Sequence, residues 1–130
     1  MTPARLDHLR RTYRSSLLES TLPFWLRHGF DREHGGLLSN LAEDGSLIDG
    51  DKALWLQGRA AWTFSTVYHG GERNPAFLEL ARSCLDFIRT RGRGPEGKLY
   101  FTVTRDGRPL RMRRYVYSEC FAAVGSAAYA

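Results

Sequence analysis

The chain has 130 residues, 42% hydrophobic and 25% charged with a net charge of +5, which bounds it at one globular domain with a modest core. No apolar run approaches the roughly 18 residues of a membrane span, and the opening "MTPARLDHLRRTYR" lacks an apolar signal segment, so a cytoplasmic location is expected. Cys84 and Cys120 have neither a CxxC pair nor flanking histidines, which argues against a zinc site and a disulfide framework and leaves both as expected buried thiols.

Thr2-Pro3 is an N-cap and first-turn signal, and Leu6, Leu9, Tyr13 and Leu17 follow at three- and four-residue steps, predicting a first helix. Pro23 is expected to interrupt or kink it, with "FWLRHGF" adding a turn that stops at Gly29. "GGLLSNLAEDGSLI" has two short apolar stretches around Asp44-Gly45, which predicts a β-hairpin. A second helix is expected from Asp51 to "HGG" at 69–71, and a third from Asn74-Pro75 to Gly92, with Leu78, Ala81, Leu85 and Ile88 at helical spacing. "KLYFTVTRDGRPLRMRR" reads as a second hairpin around Asp106-Gly107, and a fourth helix is expected from Ser118 as N-cap, with Glu119 in its first turn.

The two hairpin-plus-helix units superpose without a gap at a shift of 62 residues, pairing Gly35 with Gly97, Leu37 with Leu99, Asp44-Gly45 with Asp106-Gly107, Lys52 with Arg114, Trp55 with Tyr117 and Gln57 with Glu119. Helix-pair units bury their faces only by stacking on neighbours, and a closed ring of six needs roughly 370 residues, so the chain is expected to be the opening third of such a ring.

Along the second helix, Lys52, Trp55, Arg59 and Trp62 follow at steps of three and four and share one predicted stripe. Gly58 in a helix costs about 1 kcal/mol against alanine, and a partly buried guanidinium needs acceptors. A sugar-sized pocket supplies a reason for both: Arg59 on negative oxygen, Gln57 hydrogen-bonding, Gly58 allowing close approach and Trp55 stacking on a sugar face. The repeat adds Glu119 and Tyr117 to the same cavity, with Tyr115 and Arg114 at its rim. His8, His28, His34 and His69 fall at helix surfaces, helix ends or a turn and read as structural. The second half of the chain carries 11 basic against 6 acidic residues, largely in "RTRGRG" and "RMRR", short clusters read as solvated faces, so no nucleic-acid partner is expected. "GSLIDGDKA" is not a phosphate loop, because Asp51 stands where the lysine belongs.

"FWLRHGFDREHGGLLSNLAEDGSLIDGDKALWLQGRAAW" and "FTVTRDGRPLRMRRYVYSECFAA" closely resemble the N-terminal third of the N-acylglucosamine 2-epimerase family, which includes the renin-binding proteins. "DREHGG", "WLQGR", "TRDGRP" and "SECF" are the most distinctive pieces. The resemblance implies an all-α fold class, a partial (α/α)6 barrel of helix pairs with short hairpins, whose cavity takes an amino sugar or related hexose. It further implies an isomerase that interconverts N-acetylglucosamine and N-acetylmannosamine, with Arg59 of "WLQGR" as the family site residue present and two proton-transferring histidines in later parts of the chain. No metal and no cofactor are expected, the partner being a small-molecule sugar rather than nucleic acid or membrane, and a homodimer stays open for the full-length protein. A mannose-type aldose-ketose isomerase and a non-catalytic sugar- or protein-binding module are the alternatives.

Overall fold

The computed structural model describes residues 2–112 and 115–130. Arg113 and Arg114 lie outside the described residues, and with them the pairing of Lys52 with Arg114 and the expected place of Arg114 at the rim.

Helix α1 (Pro3–Ser15) opens as its sequence dictates, with Pro3 at the first position and the Thr2 hydroxyl accepting the Arg5 N–H at 3.4 Å. Pro23 does not end the rod. The chain continues through π-helical turns at Ser16–Thr21 and Trp25–Gly29, joined by the single turn α2 (Leu22–Phe24). Proline has no N–H for the preceding turn, and a ladder that widens to five-residue steps on either side carries the helix past it. The apolar stripe of α1 stays largely uncovered among the described residues; Tyr13 is 71% exposed, and Leu22 is the first fully buried anchor.

Helices α3 (Leu54–His69), α4 (Pro75–Arg91) and α5 (Tyr117–Tyr129) form the body of the molecule. Two starts differ from the sequence expectation. Lys52 and Ala53 are held in a strand, so α3 begins at Leu54 rather than near Asp51. At α5, Val116 is the N-cap, and Ser118 is buried inside the first turn instead of capping it. For α4 the Asn74 side chain accepts the Ala76 N–H at 3.0 Å, as its position before Pro75 implies.

Two small antiparallel sheets flank the helices. One pairs β1 (Asn40–Leu41) with β2 (Leu47–Asp49); the other has the order β3 (Lys52–Ala53), β4 (Thr102–Val103), β5 (Pro109–Arg111). Strand β3 belongs to the first unit and β4 to the second, so the sheet stitches the units together. The repeat is visible in the register: Asn40 faces Asp49 as Thr102 faces Arg111, and Leu41 faces Leu47 as Val103 faces Pro109. Both turns use a glycine at positive φ, Gly45 at +87° and Gly107 at +93°, a region glycine enters without steric cost.

The main core lies between α3 and α4, where Ala60, Ala61 and Phe64 meet Phe77, Leu80 and Cys84; the α2 region closes it with Leu22. A second cluster of Leu54, Phe87, Ile88, Leu99 and Val103 ties the hairpin sheet to the helices. Helix α5 packs on α3 through two glycines. A β-carbon on Gly58 would lie 2.5 Å from the Phe121 carbonyl carbon, and one on Gly125 would lie 2.5 Å from the Gly58 oxygen. Of the two thiols, Cys84 is buried and its pKa is pushed up to about 12 by burial, whereas Cys120 is exposed, contrary to expectation, on a side of α5 that no described residue covers.

Candidate functional site

With α4 and the α2 region behind it and α5 on its flank, α3 keeps one face open. Arg59 lies on that face and is exposed, not partly buried as its setting between apolar residues suggested. Its guanidinium has no carboxylate partner among the described residues, and the residue lines a cleft of about 360 Å³ together with Leu56, Thr63, Trp25 and Ser39. Trp62, one turn further along, is 43% exposed. Trp55 is half-buried, its ring 5.6 Å from that of Tyr117 and 5.9 Å from that of Phe121, while Tyr117 and Phe121 meet edge-on at 5.1 Å. Tyr117 is 50% and Tyr115 74% exposed. Trp55, Tyr117 and Phe121 thus form an aromatic cluster between α3 and α5, while Arg59, one turn along α3 from Trp55, borders a cleft walled on its far side by Leu17, Leu22 and Trp25.

Lys52, expected on the same stripe, and Gln57 and Glu119, expected in the cavity, stand elsewhere. Lys52 is not on the stripe at all, because it sits in β3 and is completely buried. Gln57 is also completely buried, and both ends of its amide are occupied: Oε1 accepts the Leu37 N–H at 2.7 Å, and Nε2 donates to the Leu37 carbonyl at 2.9 Å. Glu119 repeats half of this clamp, its Oε1 accepting the Leu99 N–H at 2.8 Å. Their polar heads hold the loops before the hairpins rather than facing the open surface. Gly58 likewise serves the approach of α5, not that of a ligand.

The clamp has a charged counterpart that spacing did not reveal. Asp31 of "DREHGG" is buried and receives Lys52 Nζ at 2.7 Å together with Nε and Nη2 of Arg105, from "TRDGRP", each at 2.9 Å. Lys52 Nζ also donates to the carbonyls of Gly35 and Arg105 and lies 4.4 Å from the centre of the Phe87 ring. Burial alone would raise the Asp31 pKa, but the hydrogen bonds from Arg105 and Lys52 outweigh it and hold the carboxyl well below the usual range. Burial lowers the Lys52 pKa, with Asp31 opposing. The available signal was a lysine just before a buried helix start, which demands an acid somewhere in the chain.

Comparison with known proteins connects this arrangement to a family. Residues 35–130 match the family described as N-acylglucosamine 2-epimerase (GlcNAc 2-epimerase). The chain belongs to that family. It is 40% identical over 108 residues to the N-acylglucosamine 2-epimerase of Mus musculus, covering 80% of this chain and 26% of the relative. For the Homo sapiens enzyme of that name the identity is 38%, with 80% and 25% covered. The solved structure of cellobiose 2-epimerase from Spirochaeta thermophila DSM 6192 matches with a TM-score of 0.86 at 30% identity, covering 98% of this chain and 31% of that one. The chain thus spans about a quarter of the length of these curated N-acylglucosamine 2-epimerases and a third of the solved structure. This member of the N-acylglucosamine 2-epimerase family is mostly helical with two small sheets, and its fold matches that of the cellobiose 2-epimerase structure. Among the described residues no helix is long and apolar enough to cross a membrane.

Proposed function

We propose that residues 1–130 are the opening third of an (α/α)6-barrel sugar 2-epimerase, and that Arg59, Trp55 and Tyr117 line its cavity. One observation carries the reading: a guanidinium with no carboxylate partner among the described residues stands exposed on α3, one helical turn from Trp55 and from Trp62, in a chain 38–40% identical to N-acylglucosamine 2-epimerases. In such a cavity the rings of Trp55 and Tyr117 offer apolar faces to the C–H surface of a hexose. Arg59 stabilises the negative oxygen that develops when the C2 proton of the ring-opened sugar is removed, and a proton returned to the opposite side completes the inversion. The proton-transferring groups come from the rest of the barrel. N-acetylglucosamine is the first substrate to test, with cellobiose beside it because two cellobiose 2-epimerases share 30% and 26% identity with the chain.

In the complete protein, N-acetylglucosamine in heavy water is expected to gain deuterium at C2 as N-acetylmannosamine appears, a change read by proton NMR. A sugar that binds yet never exchanges its C2 proton would instead favour a non-catalytic binding module. Arg59→Ala is expected to cut turnover by roughly 10²–10³ while leaving Tm within about 1 °C of the parent, since an exposed side chain contributes little to stability. Parent-like turnover in that variant would remove Arg59 from the mechanism.

A further inference from the structure

The segment before the first hairpin is tied down residue by residue. An isolated bridge pairs Phe30 with Leu37, the Asp31 N–H donating to the Gly36 carbonyl at 3.0 Å and the Leu38 N–H to the Gly29 carbonyl at 2.7 Å. In a bridge of that kind the Leu37 N–H and carbonyl point away from the partner segment. Gln57 takes both, so its amide stands where a third strand would. No side chain fits between them: a β-carbon on Gly36, at φ +77°, would lie 2.6 Å from Gln57 Oε1. Gly36 is itself fixed to α4, its N–H donating to Ser83 Oγ at 2.8 Å.

These tethers deliver Ser39. Leu37 and Ser39 both line the cleft of about 360 Å³ that Arg59 borders. Ser39 is half-buried, and its hydroxyl meets no partner among the described residues. The rest of the cleft is chiefly leucine, tryptophan and phenylalanine, and its two threonines are spent: Thr63 donates to the Arg59 carbonyl and Thr21 to that of Ser16. The side-chain groups left for a ligand are then the Arg59 guanidinium and the Ser39 hydroxyl.

We propose that Ser39 hydrogen-bonds a sugar oxygen in this cleft and that Gln57 is a positioning residue, fixing the Leu37 peptide so that the hydroxyl two residues further on stays in place. The inference rests on the reading of Arg59 as part of a sugar site. A hydroxyl both donates and accepts, which suits a neutral polyol, while the charge of Arg59 serves the oxygen that becomes negative. Gln57 thus acts on the substrate through the backbone and not by contact.

The test uses the complete protein with whichever of N-acetylglucosamine and cellobiose it epimerises. Ser39→Ala is expected to raise KM roughly fivefold with kcat within about twofold of the parent, the mark of one lost hydrogen bond made equally to substrate and transition state. Gln57→Glu keeps an acceptor for the Leu37 N–H but sets an oxygen against the Leu37 carbonyl, and is expected to raise KM by a similar factor. In the Ser39→Ala protein the same change at Gln57 is expected to move KM by less than about twofold, because the group it positions is gone. Ser83→Ala, which frees Gly36 from α4, carries the same cycle where Gln57→Glu does not fold. A parent-like KM in Ser39→Ala overturns the sugar contact. Effects of the two substitutions that multiply independently, or a Gln57→Glu protein with lowered Tm and parent KM, overturn the positioning role. Arg59→Ala, run in parallel, separates the two readings. Turnover lost there beside a parent-like KM in Ser39→Ala refutes this inference alone. Turnover untouched by Arg59→Ala, or no epimerisation of either sugar, refutes the functional reading and this inference with it.

Discussion

Asp31 receives two cationic side chains inside the protein, and that makes acid its vulnerability. Its folded-state pKa lies below the ordinary 3.8, so the carboxylate's contribution is fully present above that value and is lost as pH falls from it toward the depressed one. Urea melts of the complete protein across about pH 3 to 6 are expected to show this acid limb, and Asp31→Asn should flatten it. The same substitution is expected to cost about 3–5 kcal/mol at neutral pH, because the Lys52 ammonium keeps its burial and loses its counter-charge. Stability equal to the parent would mean that the cluster is not the clamp described here. At this scale the sequence was a partial guide. It singled out Arg59 through its aromatic neighbours, but it put Lys52 on the same stripe and Gln57 on the ligand, since a helical wheel says which residues share a stripe and not which loop returns to meet them.

Between elements, the contact of α3 with α5 depends on two glycines that a helix would otherwise avoid. Gly58→Ala would improve helix propensity, yet its β-carbon would lie 2.5 Å from the Phe121 carbonyl carbon, a backbone atom that yields only if α5 moves. The expected result is a net loss of about 1–3 kcal/mol in the complete protein, measured by urea unfolding. It should be joined by weaker sugar binding, because Tyr117 and Phe121 shift with α5 away from Trp55. A stabilised Gly58→Ala protein would contradict the packing. Hairpin turns and the start of α4 were legible because Asp-Gly and Asn-Pro impose local geometry. The start of α3 was not, since strand β3 forms by pairing with β4, some 50 residues away. The sequence did place an interruption at Pro23 and a further turn ending at Gly29, but not the wider five-residue ladder by which the helix passes the proline.

Across the whole molecule, the repeat was readable because a 62-residue shift preserves turns, aromatics and polar heads together, and the hairpin registers obey the same shift. What closes around the repeat is not written in these residues, and their exposed surface carries the consequence. Tyr13, Ile48, Tyr115 and Val116 are each about 70% exposed, and the stripe of α1, the open face of α3 and the groove beside α5 are all uncovered among the described residues. Apolar surface spread over three sides favours association and loosens side-chain packing, because few of these side chains have a partner to order them. A polypeptide of residues 1–130 alone is therefore expected to bind ANS, to retain far-UV helical signal with little near-UV signal, and to melt without a sharp transition. The complete protein should melt cooperatively and bind little of the dye. A monomeric 1–130 polypeptide with a steep two-state melt and no ANS binding would show that two units satisfy themselves, and the longer ring would then lose its physical motive.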